Sequence, residues 1–301
     1  MRGRDAGPRA ALRGGAHRME HRSRRLGLVL LAALAVALFA AFVVLALLTG
    51  PDSALSAADR RVAAAFEAWR TDGRSHLFWL ATLLGNYSLL AALSFSSVLL
   101  LAVWGRRARA LLVAVGLLGA WGISEAAKAI VGRARPPAAQ ALIDLPHSRS
   151  LPSGHALTTL AFIGVLVFLA WRWSRGFAGR EGAGPGWAAP GPALTVTIAA
   201  AGVAALIGVS RVYLGVHWLT DVLAGWCLAG AWLVALLGFL RPVWRRWTGR
   251  PGGPGPRVGR SLGRHAPAVP AVRIGAVMFA VALCIAVAVL TAVYGPLLRD
   301  M

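Results

Sequence analysis

Acidic residues are scarce in this chain. Eleven Asp and Glu stand against 32 Lys and Arg, a formal net charge of +21. Nowhere do carboxylates cluster as a hard divalent cation requires. Cysteine is nearly absent as well. Cys227 and Cys284 each sit inside an apolar run, so both read as packing residues rather than as a disulfide or metal pair. No CxxC or HExxH spacing occurs, which leaves a zinc site without support. Only 14% of residues are charged while 57% are hydrophobic, with a mean hydropathy of +0.65. A soluble domain does not carry apolar runs of the length seen here. There is no internal repeat.

What is present is a series of apolar runs. A bilayer span needs roughly 20 apolar residues. Seven stretches qualify, at about 26–49, 77–104, 108–131, 155–171, 193–214, 217–240 and 274–298. The expected fold class is all-α, a polytopic transmembrane helical bundle with six spans in its core and a seventh, C-terminal span. The first run follows a basic start like that of a signal peptide. Its apolar stretch is longer than the roughly 7–15 residues of such signals, so it is read as a retained anchor.

The basic residues flank the spans. Twenty-two of the 32 fall in residues 1–25, 106–109, 172–180 and 241–273, which lie on one side if every run spans. The other ten fall opposite, and Arg60, Arg61, Arg70 and Arg74 among them are interleaved with Asp52, Asp59, Glu67 and Asp72. The positive-inside rule then makes the protein a multi-pass cell-membrane protein with a cytoplasmic N-terminus. This pattern accounts for the charge without nucleic acid as a partner; the expected partner is the lipid bilayer.

Residues 1–25 show no apolar period and are expected to be a disordered, basic cytoplasmic tail. Residues 26–240 form the expected core. A Pro/Gly/Arg-rich cytoplasmic linker at 241–273 separates it from the accessory span 274–298, which carries no polar motif. Between the first two spans, Leu55, Ala58, Val62, Phe66 and Trp69 recur at helical spacing. That segment reads as an interfacial helix, serving as a connector on the bilayer or as part of a substrate gate.

Three polar clusters interrupt the apolar chain: Lys128 to Arg135-Pro136, Pro152-Ser153-Gly154-His155, and Ser210-Arg211 with His217 and Asp221. Ionisable groups in or beside membrane spans are costly and usually mark function. Two spans separate the 132–154 connection from the 215–216 connection, so both emerge on one face, external by the charge rule. His217 and Asp221, at i and i+4, share a helix face, where a carboxylate can hold one ring nitrogen and leave the other free. The alternative is a pair that only satisfies itself. Ser153-Gly154 opens a helix, where free N–H groups bind anions, or where Ser153 is an ordinary cap. Lys128, Arg135 and Arg211 are cations suited to phosphate oxygens, although Glu125 offers Lys128 a structural partner. Arg133, His147 and Arg149 read as solvated loop residues near headgroups.

The order and spacing of these positions, Lys-x6-Arg-Pro, Pro-Ser-Gly-His and Ser-Arg-x5-His-x3-Asp, resemble the type 2 phosphatidic acid phosphatase family, the superfamily of membrane lipid phosphatases and vanadium haloperoxidases. The resemblance covers about residues 77–240; the seventh span departs from the family's common six-span plan. It implies an integral membrane phosphatase acting on a lipid phosphate monoester or diphosphate, of the undecaprenyl diphosphate, phosphatidic acid or phosphatidylglycerol phosphate type. It implies no metal and no cofactor. His217 would be the nucleophile that forms a phosphohistidine, Asp221 its orienting carboxylate and His155 the general acid and base. Lys128, Arg135, Ser153, Gly154 and Arg211 would bind the phosphate. A phosphotransferase using the same intermediate and a non-enzymatic lipid-phosphate transporter are the alternatives. A soluble haloperoxidase does not suit so apolar a chain. Oligomeric state is not legible.

Overall fold

A computed structural model describes the backbone of residues 8–178 and 191–239; the expected linker at 241–273 and accessory span at 274–298 lie outside the described residues. Within them the chain forms eight α-helices: α1 (Pro8–Leu48), α2 (Ala54–Ala68), α3 (Asp72–Leu83), α4 (Tyr87–Val103), α5 (Arg107–Val131), α6 (Gly154–Ala178), α7 (Gly191–Tyr213) and α8 (Leu219–Phe239), with a 3₁₀ turn at Ala138–Gln140. Six segments are long and apolar enough to cross a membrane: Arg25–Leu48, Asp72–Val103, Arg107–Val131, Gly154–Arg172, Ala193–Tyr213 and Leu219–Gly238. They correspond to the first six apolar runs, and the fold is an all-α membrane bundle.

α6 is the central column. It touches α4, α5, α7 and α8, while α1 packs on α8 and α3 on α7. The sequence explains its position: Ala156, Leu157, Ala161, Phe162 and Val165 are all buried. Small residues let neighbours approach closely, the usual device of helix packing in lipid. Trp232 of α8 reaches across to α5 and donates from Nε1 to the Gly116 carbonyl at 3.1 Å.

One expectation needs correction. The tail at 1–25 was expected to be disordered, yet α1 is helical from Pro8 onward. Proline suits a first helical position, and once the span behind it is helical, each further residue adds to an existing nucleus. The second run forms a span as expected, built from two helices, α3 and α4. It breaks at Leu84-Gly85-Asn86, where Asn86 restarts the chain as a cap, its side chain accepting from the Ser88 N–H at 2.8 Å. Gly85 sits against the bundle so tightly that a Cβ there would lie 2.5 Å from Ile207 Cγ2 and 3.3 Å from the His155 ring. The break thus brings backbone, not side chain, up to a candidate site residue.

The segment before α3 is the helix that its spacing predicts. α2, capped by Ser53 accepting from the Ser56 N–H at 3.1 Å, packs on α7 and α8. Its Asp59 is 2% exposed. A carboxylate is not buried so completely without partners, and those partners lie in the site.

Candidate active site

The three polar clusters meet at one end of the bundle. Backbone hydrogen bonds stitch them together: the Ser153 N–H donates to the Asp221 carbonyl at 2.9 Å, and Leu142 N–H to the Leu214 carbonyl at 2.9 Å.

Asp221 is the hub. It lies in the first turn of α8 and is fully buried. Its Oδ2 accepts from the Trp218 N–H at 2.9 Å. This is one half of a capping box, with the carboxylate in the first turn reaching back to the residue before the helix. The same oxygen accepts from the Ser150 hydroxyl and faces His217 Nδ1 at 3.3 Å. Oδ1 receives Arg133 Nη1 at 2.7 Å.

The tautomer of His217 follows from its other neighbour. Arg135 Nη1 stands 3.1 Å from His217 Nε2. A guanidinium only donates, so Nε2 must be the acceptor and the ring proton sits on Nδ1, directed at Asp221. Burial pushes the His217 pKa down to about 4. The hydrogen bond and charge of Asp221 act in the opposite sense, and Arg135 and Arg211 add to the depression. The ring is therefore neutral at pH 7 and carries a lone pair on Nε2.

The cations surround this ring. Arg135 is held by the Ser148 carbonyl at 2.8 Å through Nε and by the Val216 carbonyl at 2.7 Å through Nη1. Arg211 is 3% exposed and donates from Nη1 to Thr82 Oγ1 at 2.7 Å. Lys128 Nζ is paired with Glu125 Oε1 at 2.7 Å. It also stands 3.3 Å from where a Cβ on Gly154 would be. That same Cβ would come within 1.7 Å of the Tyr87 hydroxyl oxygen, so only glycine fits at the start of α6. His155 follows, its ring edge-on to Tyr87 with centroids 5.2 Å apart. It lies within electrostatic range of His217, Arg211, Lys128 and Arg135.

Several buried polar atoms here have no protein partner: Tyr87 Oη, Ser153 Oγ, Thr159 Oγ1 and Arg211 Nε. Buried donors are rarely left unpaired, because each costs about 1–3 kcal/mol. An oxyanion with several acceptor oxygens would satisfy such a set. Among the described residues no group of three or more His, Cys, Asp or Glu is placed to hold a metal ion.

All eight residues singled out from sequence, Lys128, Arg135, Ser153, Gly154, His155, Arg211, His217 and Asp221, belong to this end of the bundle. Four others were missed. Arg133, expected to be a solvated loop residue, bridges Asp221 Oδ1 and Asp59 Oδ2, each at 2.7 Å. It is drawn in because two buried carboxylates flank it. Asp59 also accepts from the Thr220 N–H at 3.0 Å. Ser150 donates to Asp221. Tyr87 packs on His155. The i, i+3 placement of Ser56 and Asp59 on one helix face was the available signal for Asp59; Tyr87 had none. Arg149 and His147 are exposed, as expected.

The fold and site define a helical membrane protein with a histidine and carboxylate pair inside a cationic, anion-ready pocket. Residues 107–245 match the PAP2 superfamily model, and the matched stretch contains all three polar clusters. The chain is similar to a solved structure, the transmembrane PAP2-type phosphatidylglycerolphosphate phosphatase from Bacillus subtilis, at 26% identity and a TM-score of 0.59, over 69% of this chain and 96% of that one. It is also 36% identical over 90 residues to an undecaprenyl-diphosphatase of Sulfolobus acidocaldarius. That stretch is 29% of this chain and 32% of the relative, so the match spans about a third of the relative's length.

Proposed function

We propose that the protein is an integral membrane lipid phosphatase that cleaves a lipid phosphate monoester or diphosphate through a phosphohistidine, without a metal. One observation carries this reading: His217 stands between a carboxylate on Nδ1 and a guanidinium on Nε2. That arrangement fixes the lone pair on the nitrogen that faces the cations.

An incoming phosphate offers Arg135 a better acceptor than imidazole, and its guanidinium turns from Nε2 to a phosphate oxygen. Nε2 then attacks phosphorus. The bond to the leaving oxygen breaks, and His155 supplies that oxygen with a proton. The phosphorylated ring is cationic, and Asp221 stabilises it while Arg133 and Ser150 keep the carboxylate in place. Water, deprotonated by His155, cleaves the N–P bond, releasing inorganic phosphate and restoring neutral His217. Lys128, Arg135, Arg211 and the Ser153–Gly154 backbone hold the equatorial oxygens, where transition-state charge lies. In this reading the site faces outward, the N-terminus is cytoplasmic, residues 26–240 are the catalytic core and 274–298 an accessory span. The distribution of basic residues supports that orientation.

The test is phosphate release by purified protein from a panel of isoprenoid diphosphates and glycerolipid phosphates. Release is expected to persist in EDTA and to be inhibited by vanadate, which adopts the five-coordinate shape of the transition state. No release from any lipid phosphate would overturn the proposal; loss in EDTA would overturn its metal independence; transfer to an added alcohol at the expense of hydrolysis would favour the phosphotransferase.

The pH profile supplies a second check. With His217 held near 4 by burial, the nucleophile stays neutral as pH falls through the ordinary histidine range. The acid limb of kcat/KM is expected close to pH 4 rather than 6.5. Folding follows the same sign: between about 6.5 and 4 an unfolded chain binds a proton that the folded ring refuses, so stability falls with pH across that window. An acid limb between 6 and 7 that moves with a His217 substitution would contradict the assignment.

A further inference from the structure

Tyr87 opens α4, directly after the break that Asn86 caps. Its ring lies edge-on to His155, with centroids 5.2 Å apart. Its hydroxyl oxygen sits 1.7 Å from where a Cβ on Gly154 would be. The phenol thus fills the space that a side chain at the head of α6 would take. Lys128 Nζ borders the same space at 3.3 Å.

The ring and the hydroxyl have separate explanations. Phenylalanine would serve as an apolar wall for His155. The hydroxyl oxygen is buried and has no protein partner, whereas a buried tyrosine hydroxyl usually finds one. Ser124, one turn before Lys128 on α5, neighbours the phenol, and its Oγ is also buried without a partner. A hydrogen bond between these two hydroxyls would use one of their two protons and leave the other free. The remaining surroundings are mostly cationic: Lys128 at Gly154, with Arg211 and Arg135 within electrostatic range. Cations offer no acceptor. Glu125 is the carboxylate in range, but it pairs with Lys128 at 2.7 Å and does not bond the hydroxyl. The first-turn N–H groups of α6 likewise need an acceptor from outside their helix. One oxyanion at the head of α6 would supply the amides, the ammonium and the phenol together. A phenol is protonated at neutral pH, so towards an oxyanion it donates.

We infer that Tyr87 is a further catalytic residue: its hydroxyl donates a hydrogen bond to a phosphate oxygen held at the head of α6. This rests on the phosphatase reading above and adds a donor from α4, outside all three polar clusters. Negative charge on the equatorial oxygens is greatest in the transition state, so a donor fixed there acts on the chemical step as well as on binding. The same oxygen is offered by a lipid phosphate and by free phosphate, and the two are tested separately.

Tyr87→Phe removes the hydroxyl and keeps the ring on His155. With a lipid phosphate, kcat/KM is expected to fall about 10²-fold, the scale of one lost oxyanion donor. The empty variant should melt no lower than wild type, because deleting an unpaired buried hydroxyl strands no partner. The rise in Tm that inorganic phosphate gives wild type should shrink in the variant. A purely structural phenol predicts the reverse, a lower Tm with an undiminished response to phosphate. That pattern, or wild-type kcat/KM in the variant, would overturn the contact. A second measurement does not depend on turnover. The chain has three tyrosines, Tyr87, Tyr213 and Tyr294, so fluorotyrosine-labelled protein gives few enough fluorine NMR signals to assign by Tyr213→Phe and Tyr294→Phe alone. Inorganic phosphate should move the Tyr87 signal most. A Tyr87 signal that stays in place would overturn the contact whether or not lipid phosphate is hydrolysed. A Tyr87 signal that moves in a protein cleaving no lipid phosphate would instead refute the phosphatase reading and leave the contact standing.

Discussion

His217→Ala is expected to abolish phosphate release while leaving the bundle folded. The loss should exceed about 10⁴-fold in kcat, because a nucleophile and its partners act as a unit and removing one forfeits most of the chemistry. Folding should survive for a specific reason. Asp221 keeps three other donors, the Trp218 N–H, Arg133 Nη1 and the Ser150 hydroxyl, so no buried carboxylate is stranded. Arg135 keeps its carbonyl partners at Ser148 and Val216. Single-turnover phosphate release and a thermal melt of the same preparation check both halves. Activity near wild type would remove His217 as nucleophile. Retained burst-phase phosphorylation of the alanine variant would point to another residue.

The contrast between His217 and its supports explains what sequence could and could not reveal. The spans were legible because 20-residue apolar runs have few alternatives. The eight motif residues were legible because each lies at a span end on one face, and parity alone brings those ends together. The tight fit of Gly85 was not, since the neighbours that leave no room for a side chain there, Ile207 of α7 and His155 of α6, are distant in sequence. Tyr87 entered the site only through the break beside Gly85. Arg133 was misread and Asp59 missed because loop and interfacial charges usually face water. Their burial depends on partners 74 and 88 residues from Arg133 in sequence, a pairing that no local period announces.

Arg133→Ala is expected to damage folding and catalysis together, unlike His217→Ala. The guanidinium fork holds Asp221 with one nitrogen and Asp59 with the other, both at 2.7 Å, and both carboxylates are buried. Its loss leaves two like charges in a low-dielectric site with fewer donors between them. Breaking a buried pair by removing one partner costs about 3–5 kcal/mol, and here two pairs break at once. Asp59 retains Thr220 as a donor, but Asp221 loses the bond that sets Oδ1 and is free to rotate away from His217 Nδ1. kcat should therefore fall by at least about tenfold, with KM for a lipid substrate less affected, because an orienting group acts in the transition state. Arg133→Lys cannot fork to two carboxylates and should recover only part of either effect. Arg149→Ala, on an exposed residue of the same loop, should change neither. A double-mutant cycle of Asp59→Asn with Arg133→Ala separates the two consequences. Coupling in stability alone makes the α2 contact a strut. Coupling in kcat as well makes Asp59, on a helix beyond the membrane spans, a positioning residue for the histidine, acting through Arg133 and Asp221.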